Sequence, residues 1–511
     1  MNRIKTFIKS QSFRIFLIFL GICFVAYVGY LNQTYIGDNY GGRVNGFDQM
    51  SFGEFFNSDI VTTQGRHMSI TYWLLHAPLS KIGITYYQNQ WVFFAIEIIV
   101  MAIAATIFYS VFANALKQKK LSMPLILSTS FIVVNPFICD SLIYLLPSHP
   151  QALLFVALSI YFLAKGKGIK NTALTLLFLT LAVSTYQNYY ALFAIIALPL
   201  IFIQNKGKVN KEFFKRAAIA LVVMALSIGI VLAATKLHCA IIGVGAAKST
   251  TLNLSPRWLL SRAHYLMNGY IENASLCFFL FPPYLIIAIL IGIAITISAI
   301  LARQHKIKEI IFLLAILVFG FFSPIYYGMI ADIFYLAPRI LPALFASLSI
   351  CAVLLMFYLP KLQKNNYFIG STIAIAAIIV YCCNTFLNDV MITNRIELAE
   401  LRLVNSRIEK YEKENNTKVK TIVVYHYGRE ELYSANINNY VATNASRDLA
   451  SSVWSDAGAL ATLTGRDYER RDINQEECDK YFENLNEEDF RLFDPDVRLK
   501  FDGETMYWAY Y

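Results

Sequence analysis

The chain has 511 residues, 57% of them hydrophobic and 15% aromatic, and its mean hydropathy is positive. That composition excludes an ordinary soluble domain and marks a polytopic membrane protein. Charge is divided unevenly: residues 1–388 carry 28 basic against 10 acidic side chains, and residues 389–511 carry 16 against 24. The basic residues stand in small clusters between apolar runs, the pattern that orients membrane spans, so nucleic acid is not expected as a partner. Seven of the eight cysteines lie in or beside apolar segments and only Cys478 lies in the polar tail, so no disulfide framework or thiolate metal site is available.

In chain order, Arg3, Lys5, Lys9 and Arg14 introduce the apolar run 13–31, which is too long for a cleaved leader and reads as an uncleaved signal anchor. Further runs of spanning length fall near 91–113, 123–145, 150–164, 171–185, 188–204, 217–238, 276–302, 309–330, 339–359 and 367–388, giving about eleven transmembrane helices. The polar residues Ser184-Thr185-Tyr186-Gln187-Asn188 predict a turn between two short spans. With the N-terminus inside, 20 basic residues fall in cytoplasmic segments and eight outside, and the odd count puts the C-terminus outside.

Three external pieces are large enough to be structured. Residues 32–90 hold "YIGDNYGGRVNGFD" and then "MSITYWLLHAPLSKIGI", a predicted helix on the outer leaflet, with Tyr86, Tyr87 and Trp91 as an interfacial belt. In 239–275, Ser255 can cap a helix that starts at Pro256 and places Arg257, Ser261 and His264 on one face. The tail predicts a charged helix over 390–414, a strand in "KTIVVYHYG", a capped helix in "SRDLASSVWSDAGALATL" and one or two strands in "RLKFDGETMYWAYY". The fold class is an all-α polytopic membrane protein over 1–388 followed by a small extracytoplasmic α/β domain over 389–511.

The membrane part has few acids. Glu97 is intramembrane, which makes it a functional candidate, with an Arg or Tyr partner as the structural alternative. Asp38, Asp48, Glu54, Asp59, Asp140, Glu272 and Asp332 fall on the outer side. Asp38 stands out among them: it follows a span by about seven residues, so it cannot be far from the membrane surface. Gly41 and Gly42 then let the backbone fold tightly before Arg43. A carboxylate that takes a hydroxyl proton, beside cations that neutralise a departing phosphate, suits glycosyl transfer from a lipid phosphate. The available phosphate ligands are Arg43, Arg66, Lys81, Arg257, Arg262 and Arg339. No Walker A, dinucleotide fingerprint, HExxH or ligand-spaced His/Cys/Asp cluster occurs, so no cofactor or metal is expected beyond a lipid-linked sugar as co-substrate.

"GDNYGGR", "QGRHMS" and "VSTYQNYYALFAIIALPLIF" together resemble motifs of the type-specific O-antigen glucosyltransferases of serotype-converting clusters, a branch of the GT-C glycosyltransferases. The resemblance implies transfer of a hexose, most often glucose, from undecaprenyl phosphate to a surface polysaccharide on the outer side of the bacterial cytoplasmic membrane. It implies Asp38 as the first acid of a paired-acid motif, whose second place is taken here by Asn39. That raises Asp48 or Asp140 as the auxiliary acid. Arg43 and Arg66 match the family's arginines, His67 sits beside Arg66 in the same motif, and Tyr186 and Gln187 match its Tyr-Gln pair. Implied partners are the polyprenyl-phosphate sugar, a glycan acceptor, membrane lipid, and the glycosyltransferase and flippase that make and deliver the donor. A polysaccharide polymerase would carry a more Arg-rich central external loop than 239–275. A secondary transporter or flippase would carry polar residues at mid-membrane, whereas here they gather at the outer ends.

Overall fold

The computed structural model describes residues 10–32, 50–84, 89–142, 149–166, 168–245, 253, 255–276, 285–330, 341–426, 456–490 and 493–510. The parts of the expected tail strand and helix that fall between 427 and 455 therefore lie outside the described residues. By contact, the chain forms two compact units, one made of Met1–Gly29, Met50–Leu142 and Leu146–Thr385, the other chiefly of Phe386–Tyr511.

The first unit is helical. Its helices are α1 (Gln11–Tyr27), α2 (Phe52–Phe56), α3 (Ile70–Ser80), α4 (Gln90–Ala115), α5 (Met123–Val133), α6 (Pro136–Leu142), α7 (His149–Lys165), α8 (Ile169–Thr185), α9 (Tyr189–Gln204), α10 (Lys211–Ile242), α11 (Pro256–Leu276), α12 (Leu285–Ala302), α13 (Ile307–Ile330) and α14 (Pro342–Tyr358), and α15 (Asn366–Asn415) begins in it. Apolar sequence demands helix here, because a backbone surrounded by hydrocarbon must satisfy its own polar groups.

Among the described residues, five helical segments are long and apolar enough to cross a membrane: Gln11–Leu31, Trp91–Ala115, Lys211–Ile242, Ile307–Tyr326 and Asn366–Asn388. At the other six expected places the described residues form shorter apolar helical stretches.

The ends of these helices follow from local chemistry. The Asn210 side chain accepts from Phe213 N at 3.0 Å to start α10, and Gly243 in the left-handed region stops it. Between α8 and α9, Tyr186 is extended, so the expected turn divides what would otherwise be one over-long helix. Every residue of α9 from Tyr189 to Ile203 is buried, and α9 packs against α13, α14 and α7. An apolar helix covered on all sides is the core of a bundle.

At Glu97 the expected structural alternative, an Arg or Tyr partner, is not met among the described residues. Glu97 is buried in α4, yet neither carboxyl oxygen has a hydrogen-bond partner, from Arg, Tyr or any other described residue. It borders a cavity of about 20 Å³ together with Tyr72, His76 and Gln151, which has room for a single water.

The second unit holds a four-stranded sheet in the order β2-β1-β4-β3, from β1 (Thr421–His426), β2 (Glu469–Asp472), β3 (Leu499–Asp502) and β4 (Thr505–Tyr510). β1 runs parallel to β2 and β4, and β3 pairs antiparallel with β4 across the turn at Gly503. The helices α16 (Asp456–Thr464), α17 (Gln475–Phe482) and the short α18 (Pro495–Arg498) complete it. Ile422, Val423, Trp508, Phe490 and, from α15, Leu401, Val404 and Ile408 share its core. The expected α/β character is present, with β2 and α17 as additions that the sequence reading did not contain.

Candidate functional site

The stretch between α2 and α3 is folded by its own polar side chains. Glu54 and Ser51 form a reciprocal cap, in which Ser51 N donates to the Glu54 carboxylate at 2.7 Å, so that hydrogen bonding to Ser51 holds the Glu54 carboxyl below its usual range. Asp59 accepts from the Thr63 hydroxyl and from Gln64 Nε2. Two of the acids expected at this face thus serve the turn itself. The chain then reverses at Gly65, whose φ of +68° favours glycine. A Cβ at that position would collide with the Thr235 hydroxyl of α10 and stand 3.5 Å from Gln187 Nε2.

Gly65 is the hub of the site because it lets three segments close together. Gln187 Nε2 donates to the Gln64 carbonyl at 2.5 Å across 123 residues. The Arg66 guanidinium lies 4.9 Å from the centre of the Tyr186 ring, a cation–π arrangement. Tyr186 in turn meets the buried His149, whose Nδ1 is 3.0 Å from the Tyr189 hydroxyl. His67 stacks against His238 of α10 with ring centres 5.7 Å apart. His238 stacks on Phe56 at 4.4 Å and has Nε2 3.4 Å from Asn57 Oδ1. Burial pushes the His67 imidazole below its ordinary value, His238 adds to this, and a hydrogen bond to the Gly65 backbone opposes it. His67 is therefore neutral at pH 7, which leaves Arg66 as the cation of the QGRHMS stretch.

The structure thus brings Arg66, His67, Tyr186 and Gln187 into one cluster, and adds Thr235, His238, Asn57 and His149, which the sequence reading missed. Arg262 is elsewhere: its Nε donates to the Gly328 carbonyl at 3.3 Å, and its guanidinium stacks on Trp258 and Tyr265. Arg257 is exposed at the start of α11, where the Ser255 carbonyl accepts from Leu259 N as expected of a cap position. Asp38, Asn39, Arg43, Asp48 and Arg339 lie outside the described residues, and of Asp140 only the backbone, in α6, is described. The break that starts α6 is fixed by Tyr27, whose hydroxyl donates to the Val133 carbonyl at 2.9 Å and accepts from Asn135 N at 3.1 Å.

An arginine held against a tyrosine face, beside the His67 imidazole, is a cation in a half-buried setting, where it binds an anion more strongly than in water. The model of the glucosyl transferase GtrII family matches residues 48–354, more than half of the chain. The chain belongs to the glucosyl transferase GtrII family. The GtrII match takes in the whole Gly65 cluster, from Asn57 to His238, and ends within α14 before the second unit. Asp38, Asn39 and Arg43 precede it. Membership bears out the resemblance stated on the motifs and makes this apolar, helical chain a membrane glucosyltransferase. No curated protein matches the chain.

Proposed function

We propose that this GtrII-family chain moves glucose from a polyprenyl phosphate, most simply undecaprenyl phosphate, to a hydroxyl of a surface polysaccharide such as O-antigen. The site is placed on the outer side of the cytoplasmic membrane, in a GT-C arrangement of eleven spans with the N-terminus inside and residues 389–511 outside. The observation that carries the reading is the Arg66 guanidinium fixed on Tyr186 next to the Gly65 turn. A planar cation pre-oriented in this way suits the oxygens of a lipid-borne phosphate.

In the proposed reaction the acceptor hydroxyl attacks the anomeric carbon and gives its proton to Asp38. The bond between that carbon and the phosphate oxygen breaks, and the phosphate departs with the electron pair into the charge of Arg66, assisted by Arg43. Asp48 or Asp140 supplies the auxiliary carboxylate, and Arg257, Arg262 and Arg339 are the remaining cations. His67 and Gln187 hold Arg66 and the turn in register. The chemistry as written calls on no metal or prosthetic group. A separate glycosyltransferase and a flippase supply the donor.

The test is twofold. Surface polysaccharide from cells with the gene should contain glucose that is missing without it, and membranes should pass labelled glucose from synthetic polyprenyl-phosphate glucose to that polysaccharide. Unchanged polysaccharide would remove the acceptor assignment. Cys478, half-buried in the second unit, should react with an impermeant maleimide added outside intact cells; protection there would reverse the proposed orientation.

A further inference from the structure

A cavity with charged residues in its lining lies at the opposite end of α10 from His238. About 310 Å³ in volume, it opens between the end of α7, the start of α8 and the first turns of α10. The connection that borders it holds Gly166 and Gly168, with φ of +82° and +138°, and a Cβ at either would meet nothing within 4 Å.

Charge is fixed at this cavity. Arg216 Nη2 donates to the Leu163 carbonyl at 3.3 Å and to Gln204 Oε1 at 2.5 Å, which ties the guanidinium to α7 and α9. Lys215 stands beside it at the rim, and Glu212, one turn before Arg216, is the acid of the lining. The Lys165 ammonium lies 5.7 Å from the centre of the Phe162 ring, which lines the cavity, and so adds a third cation nearby. Cations therefore exceed acids. Beside these charges the wall is apolar: Phe162 of α7 faces the cavity with Ile219 and Val223 of α10, a helix long and apolar enough to span a membrane.

From this arrangement we infer that the cavity is a binding site for an anionic phospholipid, whose phosphate meets Arg216 and Lys215 and whose first acyl segment lies on Phe162, Ile219 and Val223. A soluble phosphate would satisfy the cations and leave the apolar wall wet. A lipid satisfies both, as basic pockets between membrane helices do. The site is distinct from the proposed donor site, because Arg216 and Thr235 are 19 positions apart on one helix, a separation of about 28 Å. It does not rest on the glucosyl-transfer reading.

Thermal unfolding of the full chain in neutral detergent tests the inference, since a ligand that binds only the folded state raises the midpoint in a saturable way. Phosphatidylglycerol should do so. Phosphatidylcholine and inorganic phosphate should not. Lys215→Gln, at an exposed position on the rim of the cavity, should weaken the response to phosphatidylglycerol by about tenfold. Arg216→Gln should weaken it further if the protein accumulates; where it does not, Lys215→Gln alone decides. An equal rise with phosphatidylcholine, saturation by inorganic phosphate alone, or an undiminished response of Lys215→Gln would each overturn the site.

Discussion

The side-chain amide of Gln187 donates to the backbone carbonyl of Gln64 at 2.5 Å, and this contact ties the α8–α9 turn to the loop that carries Arg66. Removing it leaves a half-buried carbonyl short of a donor and frees the turn to shift. Misplacement by about 1 Å can cost about 100-fold in rate. Gln187→Ala should lower glucose transfer by about 10- to 100-fold, with the purified protein still monodisperse. A turnover within twofold of the parent would show that the turn is held by other contacts.

Arg66 offers a sharper test of the phosphate assignment. A charge-assisted hydrogen bond contributes about 1.5–3 kcal/mol, so Arg66→Ala should weaken binding of a polyprenyl-phosphate sugar by roughly tenfold to a hundredfold. Arg66→Lys should recover only part, because an ammonium cannot both stack flat on Tyr186 and present a fork. Donor affinity unchanged in both variants would move the phosphate to another arginine.

Gly65 is sensitive for two separable reasons, its positive φ and its approach to Thr235. Gly65→Ala should lower stability by more than about 1 kcal/mol and depress activity. Adding Thr235→Ala removes the colliding hydroxyl but not the backbone cost, so the double variant should regain part of the loss. A thermal-unfolding cycle without any such coupling would mean that the collision is relieved by movement elsewhere.

Asp38→Asn keeps the side-chain shape and removes the charge. As the proposed base it should reduce turnover by about 10²–10⁴-fold without lowering insertion into the membrane, and Asp48→Asn should cost less. Radiolabelled glucose transfer in isolated membranes reads both, and wild-type transfer by Asp38→Asn would end its catalytic assignment.

In the second unit, the two hydrogen bonds from Arg471, of 2.7 and 2.5 Å, pull the Glu477 carboxyl from its usual 4.5 down to about 2. The folded state therefore holds this group ionised where the unfolded chain would already bind a proton. The stabilisation is present above about pH 4.5 and is lost as the pH falls toward 2. Since the Arg471 side chain is about half exposed, the effect should be about 1 kcal/mol or less. Hydrogen-exchange protection of α17, corrected for intrinsic rates, should decline over that window in the parent and be flat in Glu477→Gln.

How much of this was legible in advance depends on whether the information was local. The turn at Tyr186–Asn188 announced itself as polar residues inside an apolar stretch, and the structure breaks the helix there. The closing strands were likewise visible, since "TMYWAY" is aromatic and β-branched in the strand manner. β2 was not, because "ERRD" has no apolar alternation and pairs only with β1 at the sheet edge. Of the eleven expected crossings, five have helices long and apolar enough to span among the described residues, and the other six places hold shorter apolar helices there, because hydropathy measures the length of an apolar run and not where a helix starts and stops. His238 escaped notice because its partner Asn57 is 181 positions away. A single sequence contains no trace of such a pairing.

The 32 residues of α10 make its two ends mechanically dependent. Asn210 and Arg216 fix one end through the cap and the Gln204 contact, and Thr235 and His238 meet Gly65 and Asn57 at the other. One alanine inserted beside Gly229, where nothing crowds the helix, would rotate everything beyond it by about 100°. Thr235 would swing away from Gly65 and His238 from Asn57, although no side chain of either pair had been altered. The helix behaves as a gear with a fixed number of teeth: its two ends stay in register only while their count is unchanged.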